Sequence, residues 1–516
     1  MKFTTNKVGR NIPDELFGRK LIPFIGVGKG PYQERKYAPK LRKLNPGENK
    51  LVTTLKEAIK KGELADGGTI SFHHHFRNGD YLLNLVCHEI AKMGLKDIRL
   101  VPSSIQGIHK EILPYIEKGI ITQISCGASG IIADAISHGK MEKILTIRSH
   151  GGRARSIECG DEIIDIAFIG APTSDCYGNI NGVLGKYACG SLGYAYPDAQ
   201  YANYVVAVTN ELVPFPNNPI SISQDLVDTV VHLDQPIGNP AGIVSTTLRV
   251  TRDPKNLKIA RDCIEIIKAS GLLKEGFSYQ SGAGGTALAA TYFLRDYMKA
   301  KEIKGSFCMG GATEGLVRML EDGLFDAILD VQTFDTYAVN SLLNNPKHIE
   351  MGASQYANPH TSGCAVNLLD TVILGGTEVD LNFNVNTSTE SDGRIQWGMG
   401  GHQDTAEGAK LAIIAVPLLR GRLPIVVDDV ISVNTPGECI DVIVTERGIA
   451  LNPESKYYEI LSKSKNLNIK TIEELKNIAE DLSGGKPRKP ETTDKIVAIV
   501  EYRDGSVLDV IYQVKG

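Results

Sequence analysis

The sequence predicts an α/β protein built from two tandem, related units with mostly parallel sheets. Three observations predict it: short β-rich segments alternate with helical ones, two stretches echo each other far apart in the chain, and glycine-rich loops follow strands where helices begin. The chain has 516 residues, room for more than one domain at roughly 150 residues each. Residues 1–50 read as an N-terminal extension, 51–235 as the first unit and 236–516 as the second, ending in a β-hairpin.

The first 50 residues are rich in Lys, Gly and Pro, and Ile25-Gly-Val-Gly-Lys-Gly-Pro31 reads as loop. Residues 53–61 follow as a helix, 69–72 as a strand, and 81–93 as a helix with Leu82, Val86 and Ile90 on one face and Gly94 after it. Residues 97–101, 120–125, 144–147, 163–169 and 204–209 are further short strands bounded by Gly, Pro, Ser or Asn. The echo is regular. Glu117-Lys-Gly-Ile-Ile-Thr-Gln-Ile-Ser125 lies 204 residues before Glu321-Asp-Gly-Leu-Phe-Asp-Ala-Ile-Leu329, each after an apolar helix. Upstream, residues 69–72 lead into His73-His-His-Phe-Arg-Asn-Gly79 and a helix, as 277–280 lead into Ser281-Gly-Ala-Gly-Gly285 and a helix. Prolines 214, 216, 219, 236 and 240 mark the join. At the end, residues 496–502 and 507–514 flank Arg503-Asp-Gly-Ser506, a tight-hairpin signal, after an exposed linker over 483–490.

Composition narrows the function. The net charge of −4 offers no field for nucleic acid or anionic membrane. The start has no signal-peptide core and no apolar stretch reaches about 20 residues, so a cytoplasmic protein is expected. Nine scattered cysteines without a CxxC pair indicate reduced thiols, and no metal is expected. Glycine is abundant, 53 residues, so the fold repeatedly needs backbone without side chain.

Three loops could carry chemistry. Gln280-Ser-Gly-Ala-Gly-Gly-Thr-Ala287 runs from a strand into a helix, where bare amides suit a phosphate, carboxylate or oxyanion. Gly282, Gly284 and Ala287 also match a dinucleotide fingerprint, but the next strand, 305–309, ends in Gly310 and Gly311 rather than the acidic residue that reading needs. In Trp397-Gly-Met-Gly-Gly-His-Gln-Asp404, Gly400 and Gly401 would let a carbonyl approach backbone amides, with His402 as a donor; a plain tight turn is the alternative. In the histidine triplet, alternation puts His73 and His75 on one face, followed by Arg77 and Asn78. Carboxylate recognition, a zinc site and solvated loop histidines are all open there. No GxSxG elbow or Walker sequence occurs, and His150-Gly-Gly-Arg153 has no matching nucleophile motif.

Together, Gln280-Ser-Gly-Ala-Gly284, Val379-Asp-Leu-Asn-Phe-Asn-Val385, Gly398-Met-Gly-Gly-His-Gln-Asp404 and Val444-Thr-Glu-Arg-Gly-Ile-Ala450 resemble the coenzyme A transferase superfamily. In the first half Ile166-Ala-Phe-Ile169, Asp175 and Gly178-Asn179 match its other domain. Phe72-His-His-His-Phe-Arg-Asn-Gly-Asp80, Ser149-His-Gly-Gly-Arg-Ala-Arg155, Ala171-Pro-Thr-Ser-Asp175 and Ser354-Gln-Tyr-Ala-Asn-Pro359 narrow the resemblance to the citrate lyase alpha-subunit family, over nearly the whole chain.

The resemblance implies two CoA-transferase-like domains with the active site between them. It implies transfer of the carrier thioester from acetate to citrate, with acetyl-CoA or a carrier's phosphopantetheine-type arm as substrate and no permanently bound cofactor. The implied partners are an acyl carrier protein and a lyase (beta) subunit, in a complex holding more than one copy of this chain. Related transferases place a nucleophilic Glu after the second strand of the C-terminal domain; here that place falls near Gly310, with Glu314 off register, so direct attack by citrate is expected. On this reading Gly400, Gly401 and His402 are catalytic, and His73, His75, Arg77 and Asn78 bind substrate. Gln280, Gly282, Ala283, Gly284, Gly285, Gly310 and Gly311 would hold the thioester arm. Two alternatives are an acetate- or butyrate-type transferase acting through Glu314 or Glu446, and a non-catalytic sensing or scaffold subunit.

Overall fold

The computed structural model describes residues 2–31, 38, 42–243, 250–282 and 284–515. Two large sheets dominate. In the first half the strands are β1 (Thr69–Phe72), β2 (Ile98–Pro102), β3 (Ile121–Ser125), β4 (Leu145–Ile147), β5 (Ile166–Ala171), β6 (Tyr204–Thr209) and β7 (Thr229–His232). In the second half they are β8 (Ser278–Ser281), β9 (Gly305–Ala312), β10 (Phe325–Thr333), β11 (His348–Glu350), β12 (Thr371–Leu374), β13 (Leu411–Ala415) and β14 (Val442–Thr445).

The spatial orders are β4-β3-β2-β1-β5-β6-β7 and β11-β10-β9-β8-β12-β13-β14. Numbered by appearance, these seven central strands of each half read 4-3-2-1-5-6-7 and every neighbour pair among them is parallel, while short edge strands extend the far ends, Leu51–Val52 beside β7 and Gly448–Leu451 antiparallel to β14 with Ile469–Lys470 beyond it. The duplicated α/β architecture is therefore present, and the 204-residue echo marks equivalent strands, β3 and β10. Parallel strands covered on both faces should be continuously apolar. β5 and β6 are buried at every position. The helix after β1 spans Leu82–Met93 and is closed by Gly94 at φ 79, a left-handed cap that glycine adopts without steric cost.

The terminal hairpin belongs elsewhere than the sequence places it. Expected with the second unit, β15 (Thr492–Glu501) and β16 (Val507–Val514) instead extend the first sheet, β15 running parallel to β4. β4 would otherwise be an open edge, and covering it satisfies a row of unpaired amides and carbonyls. The N-terminal extension completes the cover: Phe24 N–H donates to the Val507 carbonyl, and Asn6 Nδ2 donates to Val507 and Leu508.

A buried chain of charges ties these pieces together. Arg148, just after β4, pairs with Glu162 and with Glu501 of β15. Arg99 adds to Glu162 at 2.7 Å and Arg19 of the extension adds to Glu501 at 2.5 Å. The two guanidiniums push the Glu501 carboxyl down to about 2 against its burial. Among the described residues, no helix is long and apolar enough to cross a membrane.

Candidate active site

Open parallel sheets bind ligands beyond the carboxyl ends of their strands, where the strand order reverses. In each unit that point lies between its first and fifth strands, and the two ends face each other across a cleft of about 360 Å³. From the first unit come His74 and Arg77 after β1, Ser103 and Gln106 after β2, Gly127 after β3, and Arg148 and His150 after β4. The second contributes Gln280 and Gly282 at the end of β8, Gly311 from β9, Gln332 and Phe334 around the end of β10, and Gly375 after β12. The loop from Trp397 to His402 closes one side. The halves meet closely there: a Cβ on Gly127 would lie 2.1 Å from the Gly398 Cα.

The histidine triplet divides by the strand alternation. The rings of His73 and His75 do share a face, parallel and 5.9 Å apart, but that face is turned into the protein. His73 Nε2 lies 3.1 Å from Asp198, which also takes both Nη atoms of Arg153, at 2.8 and 2.7 Å. His75 Nε2 donates to the Gly170 carbonyl at 2.8 Å, and burial pushes its pKa down to about 4. The middle residue, His74, faces the cleft. Its Nδ1 meets Ser103 Oγ at 2.5 Å, and its ring lies 5.4 Å from that of Tyr194, which packs 4.1 Å from His150 on the other side.

Arg77 lines the cleft and Asn78 is exposed outside it. Arg77 sits at φ 50, a conformation that costs a bulky residue of order 1 kcal/mol and persists only where surroundings enforce it. Its guanidinium lies 4.5 Å over the Phe334 ring, has no carboxylate partner among the described residues, and is pushed below its usual pKa by burial. A buried, unpaired guanidinium is an anion site in waiting.

On the second unit, Gln280 lines the cleft and its Nε2 donates to the Tyr356 hydroxyl at 2.9 Å. Gly282 also lines it, but its N–H is spent on the Ile373 carbonyl at 2.8 Å. Ala283 lies outside the described residues. Gly284 and Gly285 begin the helix Gly285–Lys301 away from the lining. Gly310, at φ 98, packs beneath Gln280, and a Cβ on Gly311 would lie 1.9 Å from the Phe334 ring. The glycine pair thus seats the two side chains that present a donor and support Arg77.

In the 397–402 loop, the Gly400 carbonyl accepts the His150 backbone N–H at 3.0 Å. The N–H groups of Gly400 and Gly401 make no hydrogen bond among the described residues. His402 lacks the free donor expected of it: Nε2 donates to the Gly375 carbonyl at 2.8 Å, so Nδ1 accepts from the Thr435 hydroxyl at 2.7 Å. Burial pushes that ring down to about 4, keeping this neutral tautomer at neutral pH. The available donors on this loop are therefore amides. His150 is the imidazole with nitrogens unengaged among the described residues, and burial with nearby Arg153 pushes it down to about 3.

No Asp or Glu is among the described lining residues. Glu314 is half exposed, paired with Arg318 at 2.6 Å, and Glu446 accepts the Leu418 N–H at 2.9 Å, both away from the cleft. Sequence reasoning passed over His74, His150, Tyr194, Gln332 and Trp397. Three carried a signal: His74 is the middle of the histidine triplet, His150 stands in a quoted motif, and Trp397 is the chain's single tryptophan.

Two duplicated α/β units whose strand ends face across one cleft make up a CoA-transferase-like fold. That fold is shared by a Pseudomonas malonate decarboxylase hetero-tetramer, with TM-score 0.62, 17% identity, and coverage of 85% of this chain and 84% of that one. The chain belongs to the citrate lyase alpha-subunit family, whose model matches residues 48–514. It is 48% identical to the citrate lyase alpha chain of Haemophilus influenzae over 91% of this chain and 93% of the relative. It is 45% identical to that of Escherichia coli, over 91% and 92%. It is also similar to the crystal structure of a citrate lyase alpha subunit from Streptococcus mutans in complex with citrate. That match has TM-score 0.95, 47% identity, and coverage of 99% and 100%.

Proposed function

We propose that this chain transfers a carrier thioester from acetate to citrate, releasing acetate and forming citryl thioester. The observation that carries the reading is a cleft with an unpaired Arg77 and free Gly400 and Gly401 amides but no carboxylate among its described lining residues. Family membership and the citrate-bound relative support the substrate. Arg77 takes one citrate carboxylate bidentately, and His150 and Gln280 offer further donors. A second citrate carboxylate oxygen attacks the acetyl thioester carbonyl, and the Gly400 and Gly401 amides hold the oxygen that gains charge. The tetrahedral adduct expels the carrier thiolate and leaves a mixed acetyl–citryl anhydride. The thiolate then attacks the citryl carbonyl and acetate departs, so no net proton moves and no enzyme thioester forms. The thiol belongs to a phosphopantetheine-type arm of an acyl carrier protein or to coenzyme A, and the product passes to a lyase (beta) subunit.

The test is incubation with acetyl-CoA and citrate, followed by borohydride. Citryl thioester without a reduced glutamyl residue is the expected outcome. A reduced glutamyl residue sinks direct attack, and absence of citryl thioester sinks the substrate assignment.

A further inference from the structure

The turn of the terminal hairpin points back between the two units. Arg503 is 2% exposed; its Nη2 donates to the Ala357 carbonyl at 2.7 Å, while Nη1 and Nε lie 3.4 Å from Glu407 and Asp404 respectively. Asp404, fully buried, stands on the helix His402–Gly408, directly after the Gly400 and Gly401 amides. Its carboxylate reaches into the other unit. Oδ2 accepts the Gly151 N–H and Oδ1 the Ser149 hydroxyl, each at 2.9 Å. Ser149 Oγ in turn accepts the Gly152 N–H at 3.0 Å, capping the helix His150–Glu158. The first residue of that helix is His150, with its ring in the cleft and its backbone N–H on the Gly400 carbonyl. One carboxylate therefore ties the loop bearing the free amides to the helix bearing the unengaged imidazole.

We propose that Asp404, held by Arg503 of the terminal hairpin, is the positioning residue that sets His150 against the Gly400 and Gly401 amides. Neither Asp404 nor Arg503 lines the cleft, so both act through those groups. The inference rests on the transferase reading above. It makes the hairpin a working part of the site, since a displacement of about 1 Å between reacting groups can cost about a hundredfold in rate.

The ionisation of Asp404 provides a readout that simple loss of packing would not move. Facing it are Arg503 from the hairpin, Glu407 on its own helix, and Tyr194, Tyr356 and Cys364 from elements packed around it. Burial pushes its carboxyl up to about 6, against the opposing pull of Arg503 and its two hydrogen bonds. Protonation near that pH removes the anion from Arg503 and weakens both acceptors. Removing the Arg503 charge shifts this loss to higher pH.

The experiment uses full-length Asp404→Asn, Arg503→Gln and Arg503→Lys, with kcat and the citrate KM measured across the acid range. In parallel, the His150 resonance is followed in carbon-13 histidine-labelled protein, assigned by its absence in His150→Asn. Asp404→Asn is expected to lower kcat about tenfold or more with KM within about threefold, and to displace the His150 resonance. Arg503→Gln is expected to move the acid limb of kcat up by about half a pH unit or more, with Arg503→Lys nearer the wild type. Wild-type kcat in Asp404→Asn, an unmoved acid limb in Arg503→Gln, or an unmoved His150 resonance overturns the proposal. Should Asp404→Asn fail to fold, the two Arg503 variants decide. If the wild type forms no citryl thioester, the transferase reading falls while the resonance still decides the positioning.

Discussion

Arg77 is the cleft residue whose chemistry is most plainly unspent. Its guanidinium is largely buried, lies over Phe334 and has no carboxylate partner among the described residues, so an incoming anion meets a charge already stripped of water. Arginine's planar fork matches a carboxylate bidentately and lysine's point charge does not. Arg77→Lys should therefore raise the citrate KM about 10- to 100-fold, a loss of roughly 1.4 to 2.8 kcal/mol, with a smaller change in the acetyl-CoA KM. Steady-state transfer kinetics check this; an unchanged citrate KM would remove Arg77 from the carboxylate seat. At this scale the sequence was partly legible. Arg77 and the histidine triplet stood out by type, but which histidine enters the cleft depends on where β1 stops and which way its last side chains point.

Among elements, the terminal hairpin has the largest consequence relative to its size. Through Glu501 it supplies a carboxylate to Arg148 and Arg19, and the pair with Arg148 lies where water cannot compensate a missing partner. Breaking a buried pair by removing one member typically costs about 3–5 kcal/mol. Glu501→Gln should lose about that much in urea denaturation, and a loss under about 1 kcal/mol would show that Arg148 relaxes onto Glu162 alone. The hairpin itself was legible from Asp504 and Gly505 between alternating apolar runs. Its partner was not: β15 pairs with β4 across more than 340 residues of chain, a choice made by the open edge of the first sheet.

For the molecule as a whole, the site is buried between two units, and that burial has a pH signature. His75, His150 and His402 are pushed down to about 4, 3 and 4, chiefly by burial. An unfolded histidine binds protons near 6.5, so between that value and about 4 the unfolded chain binds more protons than the folded one. Stability should thus fall as pH drops through this window, and Glu501, held down to about 2, adds to the loss once pH is below its unfolded value. Asp404, raised to about 6, acts with the opposite sign, as do Glu350, Asp380 and Asp509, each pushed up by burial, while His74, pushed well down chiefly by burial, joins the three rings. Urea midpoints should decline from pH 7 to pH 5, and a flat or rising midpoint would mean these rings are hydrated.

By itself the sequence determined the class of fold, the duplication, the places of most of the sheet strands and of some helices, and the glycine loops at strand ends. Those properties are local: apolar alternation, caps and turns act over a few residues, and a repeat is visible wherever it recurs. Only the tertiary structure decided which half the hairpin joins, that His402 is spent on Gly375 and Thr435 while His150 is left open, and that Asp404 crosses from one unit to the other. Each of those outcomes pairs residues remote in the chain, through hydrogen bonds whose partners exist only once the two sheets have been brought face to face.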